Sequence, residues 1–210
     1  MGSEDIQKPT PPVCEEWNKL TLLNKEKDVI GIYISSHPLD EYELIIRSLC
    51  NSQVTDLDNL NELNGREVVI AGVVTSGEKD FVLFGKDYEL FRPLLFKDYF
   101  LLVHGRVQPR PYGDTKQLEY KISTMQQLGE VRDNIKEVRL TVPIEEVTEP
   151  FIDTLATVVK KSRGKALLKL TLYDAREGVS VNLFSRKHKV ALTPMLSKFI
   201  IGDDIKFSIG

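Results

Sequence analysis

The run Glu67-Val68-Val69-Ile70-Ala71-Gly72-Val73-Val74 constrains the fold most. Its β-branched residues favour a pleated strand, and a glycine inside such a run marks a bulge or sharp bend. Phe100-Leu101-Leu102-Val103-His104-Gly105-Arg106-Val107 repeats the pattern, again with a glycine near its end. Two such strands belong in one small, strongly bent sheet. Shorter strands are expected over 81–84 and 118–123, and a helix over 85–95 with Tyr88, Phe91 and Leu95 on one face. Residues 108–116 contain Pro109, Pro111 and Gly113 and read as a long hairpin loop. Strand, short helix, strand and long hairpin suit a five-stranded Greek-key barrel better than an open sheet.

The flanks read differently. Met1-Gly2-Ser3 has no positive or apolar signal-peptide region and reads as an expression remnant. Pro9, Pro11 and Pro12 make the stretch to residue 16 an extended linker. Trp17, Leu20, Leu23 and Val29 have helical spacing, a second short helix is expected over 38–49, and polar residues 51–65 read as loop with at most one helical turn. After a Gln- and Gly-rich connector the pattern changes again. Strands are expected over 138–142, 166–173, 179–184 and 189–192, with an edge strand over 205–209. A helix over 144–161 is entered at Thr148 with Pro150 in its first turn, and Gly164 reads as its stop. Thr193-Pro194 opens a last helix. The class is therefore α+β, mostly β. Its expected parts are linker 1–16, helical segment 17–62, barrel 63–130 and an α+β terminal domain over 135–210.

Hydrophobic residues make up 41% of the chain and charged residues 28%, enough for a packed core. No apolar run approaches the ~20 residues that span a bilayer, so no membrane partner is expected. Cys14 and Cys50 have neither metal-ligand nor redox spacing, which points to a reduced, cytoplasmic setting. A net charge of −3 gives no global attraction to nucleic acid, so any such affinity must be local.

The run Glu26-Lys27-Asp28-Val29-Ile30-Gly31-Ile32-Tyr33-Ile34-Ser35-Ser36-His37-Pro38-Leu39-Asp40 resembles the segment preceding the OB domain in the alpha subunit of bacterial DNA polymerase III. Asp28 stands where that family usually has Glu, and Ser36 where it has Gly. Runs 63–74, 83–88 and 102–107 resemble OB strands in family order. Gly164-Lys165-Ala166, Tyr173 and Ser185-Arg186-Lys187-His188-Lys189-Val190 are similar to the terminal domain of the Bacteroides-like branch. The resemblance implies that the catalytic parts, with their Mg, lie upstream. It implies an OB fold guiding single-stranded DNA and a tail docking the clamp loader's tau subunit and other replisome proteins. The family's clamp-binding motif precedes the proline-rich start, so direct clamp binding is not expected. One departure stands out. Only Thr75 to Asp80 separate Val74 from Phe81, too few for the family's basic hairpin, since a strand alone takes ~5–6 residues. Either the hairpin is deleted or residues are missing between Ser76 and Gly77; the second reading is preferred.

On such a fold the DNA face needs stacking aromatics and basic side chains along one groove. The candidates are Lys79, Phe84, Lys86, Arg106, Arg110, Tyr112, Lys116, Tyr120 and Lys121. Strand alternation puts Phe81 and Phe84 on opposite faces, so only one of them can stack. The Arg110-Pro111-Tyr112-Gly113 loop is either a clasp for a strand or an ordinary polar hairpin tip. The partner-binding candidates are Lys160, Lys161, Arg163, Arg186, Lys187 and Lys189, with Lys165 and Lys169 nearby. Lys160, Lys161 and Arg163 equally suit the negative end of their own helix.

No catalytic or metal-binding set is expected in this chain. Asp56-Leu57-Asp58 sits among Asn residues and reads as turn chemistry, as does Asp203-Asp204. His37 reads as a turn residue without a nucleophile or base beside it. Three functions are therefore weighed: a replication module binding single-stranded DNA and the clamp loader, a protein-interaction module alone, and an independent enzyme. Glu78, Asp80, Asp87, Glu89, Asp98 and Asp114 count for the second, while the first is the preferred reading. The missing catalytic set counts against the third.

Overall fold

The computed structural model describes residues 15–75, 83, 85–111 and 117–210. The expected remnant, most of the expected linker, the expected 81–84 strand apart from Leu83, and the junction between Ser76 and Gly77 lie outside the described residues. The chain divides into two compact units, Met1–Pro38 and Leu39–Gly210. Among the described residues no helix is long and apolar enough to cross a membrane.

The first unit is built on α1, Lys19–Ile30. Asn18 caps it by accepting a 2.8 Å bond from the Thr21 N–H, and the Gly31 N–H closes the other end on the Lys27 carbonyl. The chain then turns back. The Ser35 N–H and hydroxyl both donate to the Glu26 carboxylate, at 3.0 and 2.9 Å. Those bonds, the backbone one foremost, hold the Glu26 carboxyl below its ordinary pKa. Tyr33 lies 5.2 Å from the Lys27 ammonium and edge-on to His37. The residues of the motif run are thus used on one another.

The second unit opens with a 3-10 turn, Pro38–Tyr42, and α2, Glu43–Leu49. Two further 3-10 turns, Val54–Asp58 and Leu60–Leu63, occupy the stretch expected as loop. Three strands follow: β1 (Glu67–Val73), β2 (Phe100–Pro109) and β3 (Leu118–Gln127), with α3 (Gly85–Phe91) between β1 and β2. They form an antiparallel sheet in the order β1-β2-β3. The two glycine-bearing runs therefore pair, as their pattern requires, with Ile70 opposite Val103. The expected barrel is corrected. Among the described residues the sheet is open and no closed barrel forms. Most of the 81–84 strand that would help close it lies outside the described residues, and the described edge is occupied only in part. Asn51 takes the place of a neighbouring strand on β1. It accepts from the Val69 N–H at 2.8 Å and donates to the Glu67 carbonyl at 3.0 Å. One face of the sheet then buries Val68, Ile70, Val103, Val107 and Ile122 in a core of their own, while Leu102 joins the core of the second sheet.

That second sheet begins after α4 (Leu128–Asn134), a helix in the stretch expected as connector. It comprises β4 (Glu137–Pro143), β5 (Arg163–Asp174), β6 (Val179–Val190) and β7 (Lys206–Ile209), in the order β6-β5-β4-β7. β4 and β5 are parallel, a pairing that needs a crossover, and α5 (Glu149–Lys161) supplies it. Thr148 caps α5 by accepting from the Phe151 N–H, and Thr193 caps α6 (Pro194–Gly202) in the same way. Two details differ from expectation. Gly164 is a strand residue, not a helix stop; a Cβ there would lie 2.5 Å from the Ala191 backbone nitrogen and the Val190 carbonyl oxygen. The strands expected over 179–184 and 189–192 are one strand, β6, interrupted by a bulge. Val138, Leu140, Val142, Leu168, Leu196 and Ile200 pack with Tyr42, Leu44 and Ile45 into one core.

Candidate functional site

Among the described residues the DNA-contact candidates do not share a face. Arg106 of β2 and Lys121 of β3 are register partners and project to the exposed side. Arg106 donates to the Gly65 carbonyl at 3.2 Å, and Lys121 is paired with Asp87 of α3. Lys86 stands exposed beside Asp87, and Arg110 is exposed just beyond β2. These four basic side chains lie on or near one end of the first sheet, with Asp87 on Lys121, Glu67 opposite Arg106 and Glu119 two residues before Lys121 on β3. Tyr120 points the other way. Its register partner is Val107, a fully buried residue. A Cβ on Gly105 would lie 2.5 Å from the Tyr120 ring, so the missing side chain makes room for it. The Tyr120 hydroxyl donates to the Val68 carbonyl at 3.0 Å. Burial pushes its pKa up, with the neighbouring Cys50 adding to the shift. Cys50 is itself raised to about 11 by burial, so it is a protonated thiol at neutral pH. Tyr120 therefore anchors the first sheet, and strand alternation, readable in the sequence, already separates it from Lys121. Lys79, Phe84, Tyr112 and Lys116 lie outside the described residues.

The partner-binding candidates do converge. Lys160 and Lys161 end α5, and Arg163 opens β5 in register with Val190 at the end of β6. Between the pairs Leu167↔Lys189 and Lys169↔Phe184, β5 has the single residue Leu168 where β6 has residues 185–188. Arg186 and Lys187 sit in this bulge, which the His188 N–H closes on the Ser185 hydroxyl at 3.1 Å. The Arg186 guanidinium rests 5.6 Å from the exposed Phe184 ring. Among the described residues none of these six cations has a carboxylate partner. Lys169 differs, because it and Arg139 both bind Glu137, Lys169 at 2.5 Å. Those two bonds, the one from Lys169 first, hold the Glu137 carboxyl below its ordinary pKa.

The sequence reading missed the row beside the bulge. Val179, Val181 and Leu183 alternate along β6 and are 58%, 56% and 45% exposed. Their alternation was legible. Their exposure was not, because it depends on β6 lying at the sheet edge.

For metal chemistry the carboxylates are poorly placed. Asp56 is exposed and accepts from the Gln53 N–H of its own turn at 2.8 Å. Among the described residues no group of three or more His, Cys, Asp and Glu side chains converges.

Residues 138–210 match a family model described as the C-terminal domain of the DNA polymerase III alpha subunit. Curated relatives extend the likeness across most of the chain. DNA polymerase III subunit alpha of Haemophilus influenzae is 23% identical over 80% of this chain, that of Deinococcus radiodurans 24% over 78%, and that of Aquifex aeolicus 28% over 80%. The chain spans 16%, 14% and 14% of those relatives' lengths respectively.

Proposed function

We propose that the chain is a C-terminal region of a DNA polymerase III alpha subunit, as its likeness to that family supports, and that it is a non-catalytic docking module in DNA replication. The second sheet holds a protein of the replication machinery, the tau subunit of the clamp loader. The observation that carries this reading is the set of cations at one end of that sheet that have no carboxylate partner among the described residues: Lys160, Lys161, Arg163, Arg186, Lys187 and Lys189. Helix-end cations suit their own dipole. Arg186 and Lys187 have no helix to serve, and a basic bulge on an edge strand complements an acidic partner. The test is to titrate purified tau subunit against the full chain and against Arg186→Glu/Lys187→Glu. Binding that weakens about tenfold or more supports the reading, and unchanged affinity refutes it.

A second role, contact with the single-stranded template, is favoured by the grouping of Lys86, Arg106, Arg110 and Lys121 near one end of the first sheet. With Asp87 on Lys121, the group acts through backbone phosphates more than through base stacking. Fluorescent single-stranded oligonucleotide titrated at two salt concentrations tests it. Salt-dependent affinity lost on Arg110→Ala with Tyr112→Ala supports template contact. No binding at low salt leaves the chain a protein-docking module alone.

A further inference from the structure

We propose that the outer edge of β6 is a strand-addition site for an extended segment of another protein, whose apolar residues alternate and whose end beside the bulge is acidic. The proposal rests on the docking reading above and says where and how the partner binds. Three independent features of β6 carry it.

The first is the backbone. β6 ends the sheet order, with β5 on its inner side. Among the described residues no backbone hydrogen bond reaches residues 179–184 except those to β5. Such an edge is a template for one more strand, and proteins normally block it. Here only the bulge at 185–188 interrupts it.

The second is the apolar layer. Val138, Leu140 and Val142 are buried on β4. Their register partners Leu168, Leu170 and Leu172 continue the layer on β5, and Leu183 and Val181 continue it on β6. Exposure rises outward along the row Val142, Leu172, Val181, from 1% at Val142 to 56% at Val181. The layer runs past the last strand, so an added strand with alternating apolar residues extends it and covers its exposed end. A polynucleotide would satisfy the bulge but leave this row uncovered.

The third is charge. β6 carries Arg186, Lys187 and Lys189 and no carboxylate. The opposite end of the strand meets a turn in which Asp174 accepts from the Arg176 and Glu177 N–H groups. Acidic residues on the added strand therefore belong at the bulge end. Two copies of β6 paired together would bring no negative charge to either bulge, which disfavours self-association as the use of this edge.

The test uses the full chain with two blocked peptides, Asp-Glu-Asp-Val-Thr-Val-Thr-Val and its reversed sequence, since the strand direction is open. A third peptide with Lys for the acids is the control. Amide hydrogen exchange is followed along β6. One acidic peptide should slow alternate amides within 179–184 by about tenfold or more, and the Lys peptide should not. Val181→Lys and Arg186→Glu/Lys187→Glu should each abolish the effect while circular dichroism and melting stay unchanged. The proposal is overturned if no acidic peptide protects these amides, if oligothymidylate protects them instead, or if they are protected by self-association without peptide. The two readings fail separately. Tau subunit that binds while 179–184 stay unprotected defeats the edge site alone. Peptide protection without any binding of tau subunit defeats the docking reading alone.

Discussion

β1 and β6 are both edge strands of alternating character, and the fold treats them in opposite ways. On β1 the row Val68 and Ile70 is buried, and Asn51 satisfies the outer backbone at Glu67 and Val69. On β6 the row Val179, Val181 and Leu183 is exposed, and among the described residues no side chain or loop bonds the outer backbone of 179–184. One asparagine caps the first two outward-facing residues of that edge. An edge left open beside a basic bulge, on a sheet otherwise well packed, is where association chemistry belongs.

Several substitutions break or sharpen this contrast. The largest effect is expected at Gly105. A Cβ there meets the Tyr120 ring at 2.5 Å and the Lys121 carbonyl oxygen at 2.6 Å, and the carbonyl cannot swing aside. Gly105→Ala should cost about 3 kcal/mol, read as a lower urea midpoint, with Tyr120 fluorescence changing in step. A cost near zero means that Tyr120 does not anchor the sheet. Next comes Asn51→Ala, which turns the closed edge into an open one. Losing two backbone bonds should cost about 1–2 kcal/mol and speed exchange of the Val69 amide. If that amide stays protected, something other than Asn51 closes β1.

A smaller effect concerns acid. The carboxyl of Glu137 titrates below its ordinary value because of Lys169 and Arg139. Its contribution is therefore complete above the unfolded pKa of 4.5 and is lost as pH falls from there through the lowered folded value. Glu137→Gln should flatten the acid limb of the stability profile between pH 4.5 and lower values, leaving neutral pH little changed. An unchanged acid limb removes Glu137 from the account. The smallest effect is expected on β6 itself. Val181→Thr should shift stability by no more than about 0.5 kcal/mol, because that side chain is already in water. A loss comparable to a core truncation would show that the row is covered in solution.

Much of this fold was legible locally. The runs around Gly72 and Gly105 pair as their composition suggests, and Thr148 and Thr193 start their helices as caps. What failed were features set at long range. α4 hid behind Gln127 and Gly129, weak helix signals that tertiary packing of Leu128 overrides. Gly164 reads as a helix stop in isolation; only its approach to Ala191 shows why it is glycine. The charged residues 185–188 break the hydrophobic alternation, so one bulged strand reads as two. The barrel expectation counted a strand over 81–84, most of which lies outside the described residues, and did not foresee Asn51, from a stretch read as loop, on the edge of β1. Tyr120 passed for a stacking residue because aromatic and basic neighbours on a strand look alike until the sheet shows which face is core.

Hydrogen exchange on the full chain, alone and saturated with clamp-loader tau subunit, tests the contrast between the two edges most directly. Slowed alternate amides within 179–184, with Glu67–Val73 of β1 unchanged, is the result this account requires. Protection on β1 with none on β6 would contradict it.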